Sequence, residues 1–140
     1  MPTVQVMSSP LTASARLKAA LRLTKWFCAH GSDPAHVVVL FQTAAPMTYF
    51  AGGVPLTRFD DEDGEQRCAQ WASVVCHVHH ERDHAYRADL AEEVRASVGL
   101  ADGHCLVRFE PTDPERVFYL HNGVMTDSAP PMVGTAQKGR

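Results

Sequence analysis

The feature that most constrains this chain is an order of landmarks that recurs about 70 residues apart. A helix-capping residue, a helix-ending glycine and a turn residue each occur twice. They are Thr12 and Asp83, Gly31 and Gly99, and Gly52 and Asn122, separated by 71, 68 and 70 residues. Residue identity between the halves is low, so what repeats is the succession of elements. In the first half, Thr3 to Met7 alternates polar and apolar as a short strand does. Thr12 offers a capping hydroxyl, and Leu17, Ala20, Leu21, Thr24, Phe27 and Cys28 recur at helical spacing. Gly31 stops that helix and Pro34 prevents its resumption. Val37 to Phe41 is a continuous apolar run, the pattern of a strand buried on both faces.

The second half repeats the order. Ser73 to His80 alternates, with Val74, Cys76 and Val78 on one face and Val75, His77 and His79 on the other. Asp83 can cap a helix whose Tyr86, Leu90, Val94 and Val98 share a side. Strands follow at His104 to Phe109 and Val117 to Leu120. Strands flanking a single crossover helix run parallel. The expectation is an α+β fold: two tandem β-α-β units in one four-stranded mixed sheet, with both helices on one face. Residues 1–125 form the domain, with repeats at 2–56 and 72–125. The polar stretch 57–67 is an exposed connection, and 126–140 is a flexible tail. The bare sheet face then needs a cover, which copies of the same chain can supply.

Composition narrows the function classes. A 140-residue domain buries about 68–70% of its unfolded surface, so it needs no disulfide or metal to fold. The 13 basic residues are outnumbered by 16 acidic ones, against the excess a nucleic-acid surface carries. No apolar stretch approaches the roughly 18 residues of a membrane span, and the start lacks the pattern of a secretory leader. Cys28, Cys68, Cys76 and Cys105 form no CxxC pair and read as reduced thiols of a cytosolic protein. His77, His79, His80 and His84 crowd together, but no cysteine or carboxylate stands at matching spacing, and no metal is expected. The acidic run Asp60 to Asp63 lacks the glycine and terminal glutamate of a calcium loop. Trp26 and Trp71 read as packing residues.

The candidate for chemistry is Pro2. Initiator methionine is normally removed before proline, which leaves a free secondary amine at the start of a core strand. In an apolar pocket or near a cation such an amine loses basicity and can act as a general base near neutral pH. The structural alternative is a strand-initial proline with no role.

The N-terminal proline, the two β-α-β units and Tyr49-Phe50-Ala51-Gly52-Gly53 together resemble the tautomerase superfamily, which includes oxalocrotonate tautomerase and macrophage migration inhibitory factor. Within it the likeness is strongest to the cis-3-chloroacrylic acid dehalogenase group. It is carried by Leu11-Thr12-x-Ser14-Ala15-Arg16, Ala29-His30-Gly31, Phe41-Gln42, Phe50-x-Gly52-Gly53-Val54 and Val78-His79-His80-Glu81-Arg82, over residues 2 to about 123.

The resemblance implies a trimer and a cofactor-independent enzyme in which Pro2 moves the proton. It places His30 where the dehalogenases hold substrate or water, and His80 and Arg82 where they bind the substrate carboxylate. Arg82 suits a planar carboxylate through two parallel hydrogen bonds. Arg108 stands where a water-activating tyrosine is found, and Tyr119 near a glutamate position, so that carboxylate is absent. Val38 replaces the second-strand arginine of oxalocrotonate tautomerase, and Val107 and Cys105 fall where the migration-factor branch has asparagine and tyrosine. The expected activity is keto–enol tautomerisation of a small 2-oxo or unsaturated carboxylic acid. The alternatives are hydration with dehalogenation, decarboxylation, or a non-catalytic trimeric binding protein. No nucleic-acid or membrane partner is expected.

Overall fold

The computed structural model describes residues 1–45, 47–56, 69–100 and 103–129. In chain order the elements are β1 (Thr3–Ser8), α1 (Ala13–Ala29), β2 (Val38–Thr43), β3 (Phe50–Ala51), β4 (Val54–Pro55), β5 (Trp71–His79), α2 (His84–Ser97), β6 (His104–Thr112), β7 (Phe118–His121) and β8 (Val124–Asp127). Four strands make one mixed sheet in the order β2-β1-β5-β6. β1 runs parallel to β2, and β5 parallel to β6; the two units meet where β1 pairs antiparallel with β5, Val4 opposite Cys76 and Val6 opposite Val74. The doubled β-α-β architecture is therefore as expected.

The helix caps are built from the residues that signalled them. The Thr12 hydroxyl accepts the Ala15 N–H at 3.1 Å, and the Asp83 carboxylate accepts the Tyr86 N–H at 2.8 Å. Each satisfies a first-turn donor that the helix itself leaves unpaired. Even-numbered β5 residues Val74, Cys76 and Val78 join Val4, Val6, Leu23, Phe27, Leu90, Val94 and Val98 in one buried cluster, so both helices cover the same sheet face. Burial pushes the Cys76 thiol up to about 12, which makes it a packing residue rather than a nucleophile.

Three expectations need correction. The buried face of α1 is Ala19, Leu23 and Phe27, not the stripe through Leu17 and Leu21, which is 63% and 53% exposed at those two residues. The helix carries two apolar stripes, and the sheet takes the one whose i, i+4 row ends at Phe27. β2 is an edge strand rather than one buried on both faces: Val38 and Leu40 are exposed while Val39 and Phe41 pack on the core. The apolar run is real, but among the described residues only one side of it is covered. The ordered chain also continues past residue 125, because β8 pairs Thr126 and Asp127 with β7. The 57–67 connection lies outside the described residues, as do Cys68 and residues 130–140 of the tail.

Each unit closes with a small hairpin that the strand patterns had not resolved. In β3-β4 the turn is Gly52-Gly53, with φ of +58° and +80°; in β7-β8 it is Asn122-Gly123, with φ of +50° and +77°. Two successive positive φ angles make the turn whose twist suits a two-residue hairpin, which is why glycine and asparagine stand there. No helix among the described residues is long and apolar enough to cross a membrane.

The assignment of the α1 face is testable by urea unfolding. Phe27→Ala should cost about 3–5 kcal/mol through the cavity it leaves. Leu21→Ala should change stability by under about 0.5 kcal/mol.

Candidate active site

Pro2 lies just ahead of β1, where its missing N–H breaks no ladder bond. Its carbonyl accepts the Val38 N–H at 3.0 Å, so the proline is tied to β2. It borders a cavity of about 460 Å³ at the end of the sheet, together with His36, His79, Arg82, Tyr86 and Ser128. The residue before it, Met1, borders the same space. Burial lowers the pKa of the Met1 amine below the ordinary 8.0, and the Arg82 guanidinium lowers it further. The Met1 amine therefore sheds its proton more readily than one in water.

Arg82 is positioned by the turn that leaves β5. Its N–H donates to the His79 carbonyl at 3.1 Å, while the His80 N–H donates to the Thr112 carbonyl at 3.1 Å. The guanidinium sits 4.6 Å from the centre of the Tyr86 ring and donates to the His30 carbonyl at 3.5 Å. Both contacts hold a flat cation at the cavity wall without neutralising it. Its charge is what a carboxylate would meet there.

The other expected site residues divide. His30 caps α1, but its ring does not border the cavity. It stacks on Trp26 at 3.7 Å, bonds the Trp26 carbonyl through Nδ1 at 2.7 Å and lies 3.9 Å from Asp89. Only its backbone carbonyl reaches toward the site, through Arg82. His80 is exposed and leans on His79, which takes the place at the cavity wall instead. Tyr119, on β7, packs its ring 4.4 Å from His36 and so backs a cavity residue. Arg108 sits opposite Val75, on the sheet face away from the helices, and does not join Pro2 within this protomer. Among the described residues no three His, Cys, Asp or Glu side chains converge as a metal site requires.

His36, Tyr86 and Ser128 border the cavity without having been singled out for it. A signal was available for two of them. Asp33-Pro34-x-x-Val37 recurs as Asp113-Pro114-x-x-Val117. Each aspartate caps a short 3-10 turn, accepting the Ala35 N–H at 2.9 Å and the Glu115 N–H at 3.1 Å. The first turn delivers His36; the second delivers Pro114, whose carbonyl holds the Ser128 hydroxyl at 3.0 Å.

Similarity to known proteins bears on this arrangement. No protein-family model and no curated protein matches the sequence. Solved structures do match. One is N1, a member of the cis-3-chloroacrylic acid dehalogenase family, with a TM-score of 0.67 at 16% identity over 98% of this chain and 90% of that one. A second is Pt0534 inactivated by 2-oxo-3-pentynoate, with a TM-score of 0.65 at 15% identity over 88% and 95%. A third is a fused 4-OT, described as a symmetric trimer, with a TM-score of 0.60 at 21% identity over 88% and 94%. This is the tautomerase-superfamily fold. At 15–21% identity the likeness is one of fold.

The link between Arg82 and the terminal amine can be measured on chain that retains Met1. Arg82→Ala should raise the amine pKa part of the way back to 8.0, read by NMR titration of a labelled Met1. The sign follows from the lowered value. Between the folded pKa and 8.0 the unfolded chain binds more proton, so this group's contribution to stability rises with pH across that window. Arg82→Ala should flatten that rise.

Proposed function

We propose that the chain is an enzyme that uses the amine of Pro2, freed by removal of Met1, to move a proton between carbon and oxygen of a small 2-oxo or unsaturated carboxylic acid. The single observation that carries this reading is that Pro2 and Arg82 border one cavity. A proton acceptor and a carboxylate anchor are the minimum such a reaction needs. The Pro2 nitrogen takes a proton from C3, and the C–H electron pair becomes the C2=C3 bond. The carbonyl pair moves to oxygen, which then receives the proton from Pro2. Arg82 holds the carboxylate, and no redox step or cofactor enters. Burial and the Arg82 guanidinium lower the pKa of the Met1 amine, and the same two influences acting on the Pro2 amine favour its proton-accepting form.

We further propose that three copies assemble through the uncovered sheet face and the β7-β8 hairpin. Leu40 and Leu106 on the sheet, and Phe118, Leu120 and Met125 on the hairpin, are exposed apolar side chains among the described residues. Such a surface fits self-association. Sedimentation at micromolar concentration should give three times the monomer mass; a stable monomer would refute the assembly.

A panel of 2-oxo acids and 3-haloacrylates assayed with processed protein tests the chemistry. Pro2→Ala should abolish turnover while the circular dichroism spectrum is kept; turnover at the wild-type rate would end the assignment. Arg82→Ala removes a charge-assisted contact of about 1.5–3 kcal/mol and should lower kcat/KM by about 10- to 200-fold, chiefly through KM. Arg82→Lys should recover only part, because a point charge does not reproduce the planar fork.

A further inference from the structure

We infer that His79 donates a hydrogen bond from Nε2 to the substrate's 2-oxo oxygen as that oxygen becomes an enolate, and that the Glu81 backbone fixes the ring in the tautomer that allows it. The inference rests on the Pro2 reading above and adds a second catalytic residue to it.

His79 is the last residue of β5 and borders the same cavity as Pro2 and Arg82. Its Nδ1 lies 3.0 Å from the Glu81 backbone nitrogen. A backbone N–H can only donate, so Nδ1 must be bare. The proton of the neutral imidazole is therefore on Nε2. His30 shows the opposite arrangement one helix end away. Its Nδ1 lies against the Trp26 carbonyl oxygen, which can only accept, so that N–H is spent within the helix end, and Nε2 faces the Asp89 carboxylate 3.9 Å away. Of these two locked rings, the one that borders the cavity is the one that keeps an N–H to offer.

The strand register brings this donor to the amine. Thr3 stands opposite His77 across the antiparallel β1-β5 pair. Carried one step further, the register puts Pro2 across from Val78 and the bond to Met1 across from His79. Removal of Met1 thus leaves the Pro2 nitrogen beside the end of β5 that carries His79.

When the C3 proton passes to Pro2, negative charge collects on the C2 oxygen. A neutral Nε2–H placed there stabilises the charge without giving up its proton, so His79 starts and ends the cycle in the same state. The protein supplies this donor already oriented, which is where such contacts gain most of their effect. Arg82 meanwhile is committed to the carboxylate, and the two donors divide the substrate between them.

The test compares His79→Ala and His79→Gln in processed enzyme, with steady-state kinetics on whichever 2-oxo acid the wild type turns over. The alanine variant should lose about 100- to 1000-fold in kcat, the range for removal of one preorganised donor, with little change in KM. The glutamine variant, whose side-chain amide places an N–H near the Nε2 position, should recover at least about tenfold of an effect of that size. An alanine variant with wild-type kcat would overturn the inference and leave Pro2 in place. A wild type inert toward every 2-oxo acid would overturn both. Nitrogen-15 NMR of the His79 ring reads the tautomer directly, whatever the turnover and however the variants fold: a proton on Nδ1 in the neutral ring would overturn the assignment.

Discussion

The antiparallel pairing of β1 with β5 is the interaction on which the rest of the structure depends. Each β-α-β unit alone offers two parallel strands and one helix, too little to bury an apolar face. Joined along β1 and β5, the units form one sheet whose helix-facing residues Val4, Val6, Val74 and Cys76 meet in a single core. The same pairing sets the site. It lays the entry to β1 beside the exit from β5, so the first residues of the chain and the turn carrying Arg82 are brought together although 80 positions separate Pro2 from Arg82.

The register also explains why the two sheet faces differ so much. Side chains alternate along a strand, so a shift of one residue would exchange the core set for the bare set. Val74, Cys76 and Val78 are apolar throughout, whereas Val75, His77 and His79 are mixed, and the helices select the first. Arg108 and Glu110 fall on the bare face for the same reason, through their pairing with Val75 and His77. That face is too polar to be a core and too apolar, at Val38, Leu40 and Leu106, to be an ordinary solvated surface.

Much of this was legible in the sequence, and what was not has physical reasons. Caps and turns are local, so Thr12, Asp83 and the glycine-containing turns announced the elements directly. The faces of β5 and α2 were legible because each has one apolar stripe. The face of α1 was not, because two stripes compete and only the packing partner chooses between them. At the site, Pro2 and Arg82 could be named from position and resemblance. His30 and His80 could be named too, but a residue's place in a motif does not say which way its ring turns. Trp26 captures the His30 ring, and the His79 side chain, not that of His80, reaches the cavity. His36 rides on one 3-10 turn and Ser128 is held by the carbonyl of another, and the signature of each turn is a recurring Asp-Pro pair rather than a hydrophobic period.

The placement of Met1 has a practical meaning. The residue before Pro2 does not trail into solvent; it is half-buried and occupies cavity wall. Anything joined to it starts at the wall of that cavity. An affinity tag fused at this end would hold the Pro2 nitrogen in an amide bond and so remove the amine on which the proposed reaction depends. Recombinant material should therefore carry its tag at the far end of the chain, and an inactive preparation with an N-terminal tag says nothing about what the protein does.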